Sequence, residues 1–151
     1  MPFNQTKEVL DQARKFHQKL GEFYEGLEDY ASKEHTKALL SYMSRHENYL
    51  DECLAEFQKG VSRNVLDSYF QYGSDATRLK EITDFKIKDD MDVTDVVTAA
   101  MHFDACLIKF YREMANHASS GKVREVFENL LVMEEHEQLE LSKTLLELGS
   151  I

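Results

Sequence analysis

Apolar residues recur at steps of three and four along most of the chain, the spacing that keeps side chains on one face of an α-helix. The pattern predicts four long helices, at about residues 6–31, 33–59, 92–117 and 122–148. A short turn near Ser32 and a Ser-Ser-Gly turn before Lys122 would close each pair of neighbouring helices into a hairpin.

The two predicted hairpins are separated by residues 61–91, where the pattern is weaker. Residues 64–72 are expected to form a short amphipathic helix. A connection of this length can span the full height of a bundle, so the second and third helices are expected to run parallel. The sequence therefore predicts an all-α protein, an antiparallel four-helix bundle of two hairpins in a single domain spanning residues 1–151.

The first and third helices resemble each other in sequence. A shift of 87 residues pairs His17 with Asp104, and Tyr24 with Tyr111, each tyrosine preceded by phenylalanine. Matches of this kind indicate an internal duplication, which would relate the two hairpins by a pseudo-twofold axis.

The second and fourth helices each carry a Met-x-x-His sequence inside the apolar stripe. A shift of 90 residues pairs Met43 with Met133 and His46 with His136, so we expect three residues to have been inserted in the second turn. Successive residues of a helix point about 100° apart. The glutamates next to the two histidines are therefore expected to face mostly outward. These are Glu47, Glu134, Glu135 and Glu137.

The net charge of -10 argues against nucleic acid and anionic membrane as partners, because both require basic patches. The polar start of the chain does not resemble a signal peptide, and no apolar run approaches the ~20 residues of a membrane span. The two cysteines form no CxxC motif and are expected to be reduced. These features predict a cytoplasmic protein.

The duplicated hairpins resemble the rubrerythrin branch of the ferritin-like superfamily. In that family the first and third helices carry a ligand Glu followed seven residues later by Tyr, and the second and fourth helices carry Glu-x-x-His. The residues found here at those positions are His17, Tyr24, Met43, His46, Asp104, Tyr111, Met133 and His136.

The resemblance implies a metal site in the core of the bundle, altered from that of the family. Its predicted ligands are His17, His46, Asp104 and His136. Three imidazoles and one carboxylate suit a single divalent ion, with Fe or Zn expected first and Mn or Cu as alternatives. Further candidates for ligands or for hydrogen bonds to the site are Met43, Met133, Glu135, Tyr24 and Tyr111.

Two alternatives stay open. Asp104 could pair with a protonated histidine in a metal-free cluster, which would make the protein a non-enzymatic helical module. The resemblance also implies a di-iron oxidase or peroxidase. However, two metal ions about 3.5–4 Å apart need bridging carboxylates, which methionines at positions 43 and 133 cannot supply. The resemblance further implies a homodimer.

Overall fold

The computed structural model describes residues 4–70, 82, 84–87, 89–118 and 120–149. Its helices are α1 (Thr6–Leu27), α2 (Glu34–Gly60), α3 (Arg63–Leu66), α4 (Val93–Asn116) and α5 (Gly121–Gly149). A 3-10 turn, Glu28–Tyr30, extends α1. Two short antiparallel strands, β1 (Asn4–Gln5) and β2 (Tyr69–Phe70), pair with each other. The prediction of four long helices is confirmed.

The helix predicted over residues 64–72 is wrong in its extent. It forms only the single turn α3, which Ser62 caps by accepting a hydrogen bond from the Val65 amide. The chain then turns into β2, which pairs with β1 ahead of the first long helix. Residues 71 and 72 lie outside the described part of the chain.

The connection between the hairpins runs the length of the bundle. Near its start, the Thr6 amide at the beginning of α1 donates to the Ser68 carbonyl at 2.7 Å. Near its end, the Met91 amide donates to the Tyr30 carbonyl, just past the end of α1, at 3.1 Å. The connection therefore returns to the end of the bundle where α2 begins, and α2 and α4 run in the same direction, as predicted.

Helix α4 begins at a capping box, a reciprocal pair of hydrogen bonds between side chains and backbone amides. The Asp92 carboxylate accepts from the Asp95 amide at 2.9 Å, and the Asp95 carboxylate accepts from the Asp92 amide at 3.1 Å. Asp92 is therefore the N-cap residue of α4.

A single shift of 87 residues relates the two hairpins throughout. It carries the start of α1 at Thr6 to the start of α4 at Val93, and the start of α2 at Glu34 to the start of α5 at Gly121. Six positions that are buried in α2 are also buried 87 residues later in α5. The pairs are Thr36–Val123, Leu39–Val126, Leu40–Phe127, Met43–Leu130, Glu47–Glu134 and Leu54–Leu141. The predicted three-residue insertion, with its shift of 90, is therefore wrong.

The core lies between the two hairpins and is built from both. Helix α1 packs chiefly against α2, and α4 against α5. Four large aromatic residues from three helices are among the most deeply buried side chains: Tyr24, Phe103, Tyr111 and Phe127. In the part of the chain that the structure describes, no helix combines the length and the apolar character that crossing a membrane requires.

Candidate metal site within the bundle

Three ionisable side chains from three helices meet in the middle of the core. His17 of α1 lies between Glu47 of α2 and Glu134 of α5. Its Nδ1 is 2.5 Å from Glu47 Oε2 and its Nε2 is 3.1 Å from Glu134 Oε1. All three side chains are almost completely buried, with 1–2% of each residue exposed. We call these three residues the central cluster.

The His17 ring is an imidazolium in this arrangement. Burial by itself lowers the pKa of a histidine, because it disfavours the charged form. The negative charge of Glu47 and the hydrogen bonds with Glu134 and Glu47 outweigh burial and raise the pKa of His17 to about 10. At neutral pH both ring nitrogens therefore carry protons and donate to the two carboxylates.

Close packing of α1 against α2 brings His17 and Glu47 together. Gly21, one helical turn after His17, faces α2, where a Cβ atom would lie 2.9 Å from Asn48 Oδ1. The Gly21 carbonyl also accepts a hydrogen bond from Ser44 Oγ at 2.8 Å. A residue without a side chain thus allows the close approach, and a buried hydrogen bond fixes it.

Asp104 of α4 is half-buried beside the central cluster. Burial raises its pKa well above the usual range of a carboxyl group, and the negative charges of Glu47 and Glu134 raise it further. The charge of Glu137 acts in the same direction, whereas that of His17 opposes it. The site therefore contains more acidic groups than its single imidazolium offsets.

Two buried tyrosines flank the cluster at positions related by the repeat. Burial raises the pKa of both hydroxyls, and the charges of nearby carboxylates add to the effect: Glu47 and Asp104 for Tyr24, Glu134 and Glu47 for Tyr111. The Tyr111 hydroxyl is fully buried and has no hydrogen-bond partner among the described residues. It is a donor that an additional ligand in the site would satisfy.

His46 and Glu137 form a second pair at the edge of the bundle. His46 Nε2 of α2 lies 3.1 Å from Glu137 Oε2 of α5, and both side chains are half-buried. The exposed rings of Tyr42 and Tyr49 both stack with His46, at centroid distances of 5.9 and 6.4 Å. The charge of Glu137 also acts on Asp104, whose pKa it raises.

The structure brings only part of the predicted ligand set together. His17 and Asp104 belong to the buried site, and His46 lies at its edge. His136 is exposed on α5, contrary to its prediction as a core residue. The reason is the register of the repeat, in which Met133, rather than His136, is the counterpart of His46.

Of the other candidate ligands, the two methionines pack in or against the core and the glutamate is at the surface. Met43 is fully buried and Met133 is half-buried against the core. Glu135 is exposed, and Arg112 Nη2 lies 3.6 Å from its Oε1.

Three carboxylates in the site were missed by the sequence analysis. The prediction that Glu47 and Glu134 face outward is wrong, since both are buried against His17. Glu137 is half-buried and turned toward His46. A constant shift of 87 residues would have identified the central pair, because it relates Glu47 to Glu134 as it relates His17 to Asp104.

The donor set fits a hard or borderline cation. Glu47, Glu134, Asp104 and Glu137 supply oxygen, which suits Fe and Mn among the transition metals, and His17 can add nitrogen once it has lost a proton. Among the described residues, no group of three or more His, Cys, Asp or Glu side chains already stands in an arrangement that could hold an ion. The imidazolium occupies the space between the two central carboxylates, so binding requires His17 to give up its bridge.

Comparison with known proteins identifies the fold. No known family model matches the sequence, and no curated protein is significantly similar to it. A crystal structure of a protein from Thermotoga maritima, provisionally described as a ferritin-like diiron-carboxylate protein, superposes with a TM-score of 0.58 at 14% sequence identity. The superposition covers 97% of this chain and 95% of the other. The chain therefore has a ferritin-like fold.

Proposed function

We propose that this protein binds a divalent metal ion, iron or manganese, inside its helical bundle. The residues that would hold the ion are Glu47, Glu134, Asp104 and Glu137. The observation that carries the proposal is the pair of buried carboxylates Glu47 and Glu134, which come from opposite hairpins and converge on one point of the core. The described chemistry of the Thermotoga maritima protein of the same fold supports it.

The charge balance of the site supports the same proposal. Two buried carboxylates face a single imidazolium, and Asp104 and Glu137 bring further acidic groups close to them. Excess charge in a protein interior is costly unless a proton or a cation offsets it. Neighbouring carboxylates raise the pKa values of both His17 and Asp104, so bound protons can offset this charge. A divalent cation could replace them.

The residues of the site have separate roles in this proposal. The central carboxylates bind, and His17 must release the proton from Nδ1 or Nε2 so that the carboxylate it contacts becomes free. Tyr111 can donate its unpartnered hydroxyl to a carboxylate oxygen or to a water held in the site. A bound iron or manganese ion would supply Lewis acidity and one-electron redox chemistry.

Metal reconstitution tests the proposal. Protein stripped with a chelator is exposed anaerobically to Fe(II), or separately to Mn(II), desalted, and assayed for metal per chain by mass spectrometry. We expect retained metal in the wild type and loss of it in Glu47→Gln and Glu134→Gln. The matched control is Glu140→Gln, which makes the same change at an exposed position of α5. Wild-type protein that retains no metal would refute the proposal.

A second candidate function follows from the His17 bridge itself. The imidazolium satisfies both central carboxylates, so the protein could be a metal-free helical module. Buried ion clusters are often no more stabilising than apolar side chains of similar volume. This candidate predicts that the variant His17→Leu/Glu47→Leu/Glu134→Leu unfolds at the same temperature as the wild type or higher, and that neither protein takes up metal.

The proposal includes two more specific predictions, one about the branch of the ferritin-like fold and one about the oligomeric state. The spacing of His17 to Tyr24 and of Asp104 to Tyr111 supports the rubrerythrin branch within the ferritin-like fold. The same resemblance supports a homodimer, which sedimentation of the purified protein would detect.

A further inference from the structure

The two halves of the buried site are chemically unequal. The shift of 87 residues relates Glu47 to Glu134, so these two carboxylates are common to both halves. The same shift pairs the remaining positions as Asp104 with His17, Glu137 with Leu50, and His46 with Met133. We call Asp104, Glu137 and His46 the polar half, and His17, Leu50 and Met133 the apolar half.

One ion pair joins two members of the polar half, and the third lies near them. The Glu137 carboxylate lies 3.1 Å from the His46 ring, across the gap between α5 and α2. Asp104 comes from α4, which packs against α5, and it lies within electrostatic reach of Glu137 and Glu134. The polar half thus offers two carboxylates of its own in addition to the shared pair.

The apolar half offers no carboxylate of its own. Leu50, which is 5% exposed, has no donor atom at all. Met133 packs against the hydrophobic core and has only a soft thioether sulfur. Both nitrogens of His17 already lie within hydrogen-bonding distance of Glu47 and Glu134.

We infer that the bundle holds one ion and not two, and that the ion binds in the polar half, where Asp104 and Glu137 join the shared carboxylates Glu47 and Glu134 as its ligands. Two adjacent divalent ions repel each other, so each needs anionic ligands of its own besides any that bridge. Only one half of this site provides them. The inference rests on the proposed function and specifies the number of ions and their position.

The Tyr111 hydroxyl independently indicates a missing ligand beside this half. Tyr111 lies on α4, two helical turns after Asp104, and its side chain is fully buried. Its hydroxyl has no partner in the described part of the chain and lies within electrostatic reach of Glu134. Buried hydroxyls normally have hydrogen-bond partners, so this one is placed to donate to an oxygen that arrives with the ion.

Native mass spectrometry of the chelator-stripped full chain, titrated anaerobically with Fe(II) and separately with Mn(II), tests the inference. We expect one ion per wild-type chain. Glu137→Gln should weaken binding at least tenfold, whereas the surface control Glu140→Gln should leave it unchanged. Equal effects of these two substitutions would overturn the assignment of Glu137.

A second variant copies the carboxylates of the polar half into the apolar half. His17→Asp/Leu50→Glu reproduces Asp104 and Glu137 at the positions that the repeat relates to them. We expect this double variant to bind two ions per chain. Circular dichroism and thermal unfolding establish whether it is folded, and a folded double variant that still binds one ion would count against the inference.

The wild-type stoichiometry decides the question even if the double variant does not fold. Two ions per wild-type chain would overturn the inference while leaving the proposed function intact. If the wild type binds neither ion, the proposed function itself fails, because an empty site contradicts both.

Discussion

The protonated His17 should make the metal-free protein lose stability as pH rises. The pKa of His17 is about 10 in the folded protein, against 6.5 for a free histidine side chain. Because the folded state binds this proton more tightly, the stabilisation is fully present below pH 6.5 and is lost as pH rises through about 10. Asp104 acts in the same direction, because its folded-state pKa is also raised.

The size of the effect follows from the interval between the two pKa values. Within that interval each pH unit lowers the free energy of unfolding by about 1.4 kcal/mol. The whole interval is therefore worth roughly 5 kcal/mol at most, which is a large part of the ~5–15 kcal/mol that stabilises a typical domain.

Urea unfolding of the chelated protein, followed by circular dichroism across this pH range, measures the effect. His17→Gln removes the titrating group and should flatten the profile. It should also cost about 3–5 kcal/mol at the acidic end, because two buried carboxylates lose their cation. His35→Gln, at an exposed position, is the control and should keep the wild-type slope. A flat wild-type profile, or an unchanged slope in His17→Gln, would refute this reasoning.

Four further substitutions test the packing around the site. Gly26→Ala should raise the free energy of unfolding by about 0.5–1 kcal/mol, because alanine favours a helix and a Cβ at this position meets no atom within 4 Å. Gly21→Ala should raise the free energy of unfolding by less, since the Asn48 side chain must move to make room. Equal increases for the two variants in urea unfolding would contradict this. Tyr111→Phe should stabilise the metal-free protein by roughly 1 kcal/mol, because it removes a buried hydroxyl that has no hydrogen-bond partner among the described residues. A lower melting temperature of this variant in calorimetry would show that the hydroxyl does have a hydrogen-bond partner. Ser44→Ala should lower the free energy of unfolding by about 1 kcal/mol, because it removes the 2.8 Å hydrogen bond to the Gly21 carbonyl. An unchanged free energy in urea unfolding would show that this hydrogen bond does not stabilise the protein.

The sequence predicts the bundle well because its apolar stripes are long and regular. The four main helices and the direction of the connection between hairpins follow from periodicity, turn residues and segment length. The duplication is also visible, since His17 and Tyr24 recur as Asp104 and Tyr111. These features depend on local sequence, so they can be predicted even when the two halves are aligned a few residues out of register.

The site is harder to predict because it depends on one exact register. A shift of three residues along a helix changes the direction of a side chain by about 300°. The shifted position therefore points only about 60° away from the original one. An apolar stripe more than about 100° wide still overlaps itself after such a shift. The matching Met-x-x-His sequences therefore favoured the wrong alignment, which turned Glu47 and Glu134 outward and His136 inward.

Some features depend on contacts between distant segments that periodicity does not encode. The pairing of β1 with β2 joins the start of the chain to the connection between hairpins. The contact of His46 with Glu137 joins α2 to α5. Both depend on how the hairpins dock.

Anomalous diffraction from a crystal grown with Mn(II) tests the central claim most directly, because it locates and counts ions in the same experiment. We predict a single anomalous peak inside the bundle, next to Asp104, Glu134 and Glu137, with the His17 bridge between Glu47 and Glu134 broken. A bundle without an anomalous peak and with His17 still bridging the two carboxylates would contradict the claim.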